Sequence, residues 1–186
     1  MLFISGVINI SVWSEKSPNA FLSTSLNKND VQKIAEAGGY APIFGKLHFT
    51  VINDLTLIDT INTTALEMMK HSGNDFAEKM ANTPGYNAVR NAQSLIVISS
   101  PASDDPNAFT MANAACAAEN MLLAATELGI GSRFMMGPVM ALSQEPVKSR
   151  ISLPEGFVPL VIVALGHIEE VFEERNRTIS TITFVD

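Results

Sequence analysis

The chain has 186 residues, of which 47 % are hydrophobic and 17 % charged, the balance of a globular chain with a sizeable core and not of a disordered one. Its net charge of -7 excludes the basic face that a nucleic-acid partner requires. Cys116 is the single cysteine, so no intrachain disulfide can form and the reading is of a cytoplasmic protein in a reducing compartment.

The opening, MLFISGVINISVW, is apolar with no settled period, and no Lys or Arg precedes Lys16. It lacks the positive first region of a signal peptide. Residues 14–28 read as a polar loop around Pro18. Asn29 or Asp30 can cap a helix running to about Ala37, with Val31, Ile34 and Ala35 on one face and Gly38-Gly39 as its stop. Leu47, Phe49 and Val51 alternate with His48, Thr50 and Ile52, which is strand periodicity. Asn53-Asp54 opens a second helix carrying Leu57, Ile58, Ile61, Leu66 and Met69. Residues 71–91 are polar around Pro84-Gly85, a short helix and a surface loop. The run SLIVISS, residues 94–100, reads as a buried strand, and residues 101–106 as a loop.

Residues 113–137, NAACAAENMLLAATELGIGSRFMMG, form the centre of the chain. Only Asn113, Glu119, Asn120, Thr126 and Glu127 interrupt the apolar residues of the first half. A helix apolar nearly all round belongs inside a core, and Cys116 is expected there as a small buried hydrophobe. The run 108–128 could span a bilayer by length, but carboxylates at that depth are expensive, so it predicts a core helix and no membrane partner. Gly129 supplies the positive φ that ends such a helix. Residues 132–136 follow as a short strand closed by Gly137-Pro138.

A weak helix over 139–143, a turn at 153–156 and a buried strand over 158–165 come next. A charged linker, 169–177, leads to an alternating terminal strand, 179–185. About four helices and five strands in mixed order imply an α+β fold with helices around a sheet. Met121 and Met140 read as core filler, while Met135-Met136 end a strand beside Gly137, where pockets form. Glu119, inside an apolar helix, reads either as a buried partner of a backbone or charged group or as a site residue. His71 and His167 have no acidic or cysteine partner at metal-ligand spacing.

The segment AENMLLAATELGIGS, with IAEAGGYAP, HFTVIND and LPEGFVPLVIVALGH in order around it, resembles the FMN-dependent nitroreductase family; the final ISTITFVD is similar to that family's C-terminal arm. The resemblance implies one nitroreductase-like domain over 1–186, with 1–25 as an atypical start and 169–186 as the arm. It implies a central mixed or antiparallel sheet flanked by helices, and a homodimer whose C-terminal strand is exchanged. FMN would lie at the dimer interface and pass a hydride from NAD(P)H to a small nitroaromatic or quinone-type acceptor in ping-pong order, the flavin supplying the chemistry.

Where the family carries Arg-Arg-Ser-x-Arg, this chain reads Asn9-Ile10-Ser11-Val12-Trp13. Ser11 matches and the arginines do not, although Arg is the residue that grips phosphate bidentately. The Ala41-Pro42 loop is shortened and leaves Lys46 as its one cation. The resemblance assigns cofactor contact to Ser11, Lys46, Met135, Met136 and Gly137, and phosphate contact to Arg175 and Arg177. The alternative on the same fold is a homodimeric binding protein whose FMN site has eroded.

Overall fold

A computed structural model of the chain describes residues 17–105, 109–169 and 181–185. The elements are α1 (Lys28–Gly38), β1 (His48–Ile52), α2 (Leu55–Lys70), α3 (Asp75–Ala81), β2 (Ser94–Pro101), α4 (Thr110–Glu127), β3 (Gly131–Met135), a 3-10 helix (Gly137–Ser143) and β4 (Phe157–Gly166). The four strands pair in the order β1-β2-β4-β3, and every pairing is antiparallel.

The two inner strands decide the architecture. Along β2 every residue from Ser94 to Ser100 is buried, and so is β4 from Val161 to Gly166. A strand buried on both faces needs cover on both faces. Leu95, Val97, Ile162 and Ala164 point to one side, against Ile58, Ile61 and Ala65 of α2 and Leu142 of the 3-10 helix. Ile96, Ile98, Val161, Val163 and Leu165 point to the other, against α4 and the Val31 and Ile34 face of α1. Each of these large side chains contributes on the order of 1.5–3 kcal/mol when fully buried.

The helix ends follow from local chemistry. Asn27 caps α1, its side chain accepting from the Asn29 N–H. Asp54 caps α2 by accepting from Thr56 and Leu57, and it meets the Arg150 guanidinium at 2.7 Å. Those two backbone bonds and the arginine hold the Asp54 carboxyl below its ordinary value. At the end of α4, Gly129 has a φ of +69°, the left-handed conformation that its position after the helix was expected to need.

Several expectations are revised. α4 is not buried all round: Asn113, Ala114, Ala117, Ala118, Met121, Leu122, Ala125 and Thr126 face the core, whereas Ala112, Ala115, Cys116 and Glu119 are exposed. Cys116 is therefore a surface thiol of this chain, because the sheet and α1 cover only one side of the helix. Met121 is buried as expected, but Met140 is 40 % exposed. The weak helix is a 3-10 helix. Four strands are described where five were expected: residues 181–185 lie exposed and form no strand within the chain, since a strand needs a neighbour to hydrogen-bond. The apolar opening, most of the charged linker and residues 179–180 lie outside the described residues. Among those described, no helix is long and apolar enough to cross a membrane.

Residues 17–22 run over the β3–β4 end of the sheet. Phe21 donates its N–H to the Arg90 carbonyl and Leu22 to the His167 carbonyl, both at 2.8 Å. The Phe21 ring lies over Gly166, where an added Cβ would stand 2.5 Å from the Phe21 Cβ. Substituting Gly166→Ala should therefore lower stability by about 1–3 kcal/mol, the usual overpacking cost, as read by denaturant unfolding. Wild-type stability in that variant would refute the close approach.

Candidate functional site

The antiparallel register places four strand ends together at one end of the sheet: the start of β1, the end of β2, the start of β4 and the end of β3. At this end the chain leaves large apolar side chains uncovered, with Phe44 81 %, Phe109 57 % and Met136 54 % exposed.

On the β1 side of this end lies a cavity of about 420 Å³, lined by Phe44, Lys46, Ser100, Ser103, Thr110 and Asn113. Asn113 organises it. From the first turns of α4 its amide donates to the Phe44 carbonyl and accepts from the Phe44 N–H at 3.3 Å. One side chain thus satisfies both polar groups of a loop residue that has no strand partner. Lys46, two residues along the pinned loop, is exposed at the cavity wall.

On the β3 side, Met135 and Met136 part company. Alternation sends the Met135 side chain into the core with Leu142 and Ile162, 5 % exposed. Met136 stands outside the strand and Gly137 begins the 3-10 helix. Around Gly137 a Cβ would meet nothing within 4 Å. The turn therefore offers open backbone beside a rigid strand, which suits the edge of a flat ring system.

Lys46 and the Met136–Gly137 turn are not neighbours within one chain. They lie at opposite edges of a four-stranded sheet, which is about 14 Å wide at about 4.8 Å per strand. Ser11, Arg175 and Arg177 fall outside the described residues.

Sequence reasoning passed over two other arginines. Arg133, on β3, donates through Nη1 to the Pro18 carbonyl at 2.8 Å and the Ser17 carbonyl at 3.3 Å. Burial, then the nearby Arg90 charge, disfavours its protonated form. Arg90 lies over the Tyr86 ring, 4.5 Å from its centroid, and its Nε is buried without a hydrogen-bond partner. Arg90 and Asn91 both hold a φ of 60°, a strained conformation for non-glycine residues that accumulates at functional sites. No sequence motif joins the two, though each was visible as a cation near an apolar strand.

The Nitroreductase family model matches residues 16–167, and the chain belongs to that family. A protein of Archaeoglobus fulgidus, assigned by name only as an NADH dehydrogenase/NAD(P)H nitroreductase, is 25 % identical over 84 % of this chain and 82 % of its own length. A nitroreductase with bound FMN from Bacteroides fragilis superposes with a TM-score of 0.82, at 24 % identity, over 95 % of this chain and 97 % of its own. A second FMN-bound nitroreductase, from Desulfitobacterium hafniense, gives 0.81 at 20 % identity over 95 % and 96 %. The expected α+β nitroreductase-like fold is thereby borne out, with an antiparallel sheet among the described strands.

Replacing Asn113→Ala removes both bonds to Phe44 and leaves a loop N–H and C=O to water. Stability should fall by about 1–3 kcal/mol, and the Phe44 amide should exchange its hydrogen much faster while core amides of β2 stay protected. Unchanged exchange at Phe44 would show that the loop does not depend on this side chain.

Proposed function

We propose that this member of the nitroreductase family is a cytoplasmic, homodimeric FMN-dependent oxidoreductase, taking reducing equivalents from NAD(P)H and delivering them to a small nitroaromatic or quinone-type acceptor. The observation that carries the reading is the open backbone at Met136–Gly137, set at the end of the outer strand β3 in a fold shared with FMN-bound nitroreductases. When bound, FMN would supply the two-electron chemistry, taking a hydride from NAD(P)H and passing it on in ping-pong order.

The chain's own residues do the rest. Met136 and Gly137 offer apolar contact and free backbone to the ring, with the buried Met135 fixing the strand beneath them. Lys46, on its pinned loop, supplies a positive charge from the opposite edge of the sheet. That separation supports a site made by two chains, each giving one half. Ser11, Arg175 and Arg177 complete the proposed set from the atypical start and the C-terminal arm of a single domain spanning 1–186. The exposed apolar side chains at this end, and the uncovered Ala112, Ala115, Cys116 and Glu119 face of α4, supply surface for the second copy.

The sheet supports a place for an exchanged arm. On the β3 side, residues 17–22 already run over the sheet, held by Arg133 and by the His167 carbonyl. No strand pairs with the outer edge of β1 among the described residues, and beside it runs a groove of about 560 Å³ lined by Ala35, Phe49 and Val51. In the arm, Ile182 and Phe184 are 66 % and 83 % exposed and alternate, as a strand added to an edge requires. We therefore assign the β1 edge to the partner's arm.

Two measurements test the proposal. The purified protein should show flavin absorption bands after equilibration with FMN, and NADH or NADPH should bleach them; a colourless protein that retains no FMN at micromolar concentration would favour the eroded-site alternative. Deleting residues 179–186 should convert a dimer to monomer by light scattering. A truncated chain that stays dimeric would remove the arm from the interface.

A further inference from the structure

The Phe44 ring is 81 % exposed, yet both polar groups of its backbone are held by the amide of Asn113, a residue only 8 % exposed. A buried side chain of α4 thus fixes the place of an aromatic ring that belongs to neither core cluster of the described residues. Leaving a large apolar face in water is unfavourable. A ring so exposed and so firmly placed is a platform on which a planar ligand can stack.

The cavity that Phe44 lines has a volume of about 420 Å³, within the range of small-molecule sites, roughly 300–1,000 Å³. Lys46 is the one charged side chain among its lining residues. It enters none of the ion pairs among the described residues, which are Lys33–Asp30, Lys70–Glu67, His71–Glu67 and Arg150–Asp54. Gly45, between Phe44 and Lys46, holds a φ of +107°, a conformation closed to most side chains, and both of its neighbours reach this cavity. The other polar lining includes the hydroxyls of Ser100, Ser103 and Thr110. The Ser103 oxygen accepts from the Asp105 N–H at 3.2 Å, which leaves its own hydrogen able to donate. Asp104 and Asp105 line an adjoining hollow of about 310 Å³ and disfavour a second negative charge close by.

We infer that this cavity receives the electron acceptor and selects a planar aromatic monocarboxylate, with its ring against Phe44 and its carboxylate on Lys46. The role as acceptor rests on the function proposed above, whereas the binding of an aromatic carboxylate does not. In the proposed two-chain site this cavity forms one half and the Met136–Gly137 turn the other. Turnover oxidises one NAD(P)H and, with one proton, converts a nitro group to a nitroso group with release of one water. Lys46 takes no proton or electron in that step and acts on binding alone.

The test uses the full chain with FMN and NADH or NADPH, and compares para-nitrobenzoate with the neutral, nearly isosteric para-nitrobenzamide as acceptors. What is read is the ratio of their kcat/KM values and its change in Lys46→Gln and Lys46→Arg. In that change the acceptors' own reactivity and any altered flavin content cancel. Lys46→Gln should lower the ratio about twofold to fivefold, the worth of an ion pair at an exposed group, through a higher KM for the carboxylate, and Lys46→Arg should keep it. Phe44→Leu should weaken both acceptors alike, by about threefold to tenfold. In parallel, titration calorimetry without NAD(P)H measures the binding of both compounds to each protein. If the wild type retains no FMN and reduces neither compound, yet binds the carboxylate more tightly than the amide and loses that preference in Lys46→Gln, the cavity stands and the proposed function falls. If both compounds are reduced and Lys46→Gln leaves the ratio unchanged, the selection is overturned and the function survives. Equal binding of the two compounds by the wild type, or binding of neither, also overturns it.

Discussion

The antiparallel pair of β2 and β4 is the constraint on which the rest of the molecule depends. Both strands are buried on both faces, so neither can face water and neither can be an edge. That requirement calls for α1 and α4 on one side, α2 and the 3-10 helix on the other, and β1 and β3 as outer strands. It also fixes which strand ends meet at one end of the sheet. The pocket at Lys46 and the open turn at Met136–Gly137 are thus consequences of strand register as much as of their own residues. Tight contacts at Gly38 and Gly166 serve the same arrangement, letting Met121 and Phe21 approach the backbone where any side chain would hold them off.

Much of this was legible in the sequence, because burial leaves a period. SLIVISS and the run before Gly166 carry continuous apolar residues, and both are inner strands. His48–Ile52 alternates and is an edge. The N-cap at Asp54 and the stop at Gly129 follow from chemistry confined to a few neighbouring residues, whereas the first cap, expected at Asn29 or Asp30, falls at Asn27. The misreadings share one cause. The α4 sequence shows that its residues are small and apolar, not which of them the rest of this chain covers. Cys116 and Ala115 carry the same hydrophobic signal as Ala117 and Ala118, yet they lie on opposite sides of one helix. The terminal arm fails in the same way, since its alternation describes a strand while residues 181–185 pair with no strand among the described residues.

The candidate site was less legible than the fold, and the reason is again physical. Met135 and Met136 are adjacent and chemically identical, so composition cannot separate them; strand alternation does, sending one into the core and the other out. Asn113 interrupts an apolar helix and gives no hint that its amide reads the backbone of Phe44. Arg133 reaches from β3 to the carbonyls of Ser17 and Pro18, 116 and 115 residues away, a contact that no local pattern announces. Motifs are contiguous, whereas the electrostatics of a site belongs to the folded surface.

That difference bears on the stretch around Ser11, where the resemblance to the family implies arginines and this chain carries Ile10 and Trp13. Counted along the sequence, the loss reads as erosion, since neither Ile10 nor Trp13 can form a bidentate bond to phosphate. Counted in space, positive charge is not missing. Arg90, stacked on Tyr86, and Arg133, anchored to the Ser17 and Pro18 carbonyls, belong to no contiguous motif, so a count of arginines along the opening cannot decide whether the folded surface holds an anion.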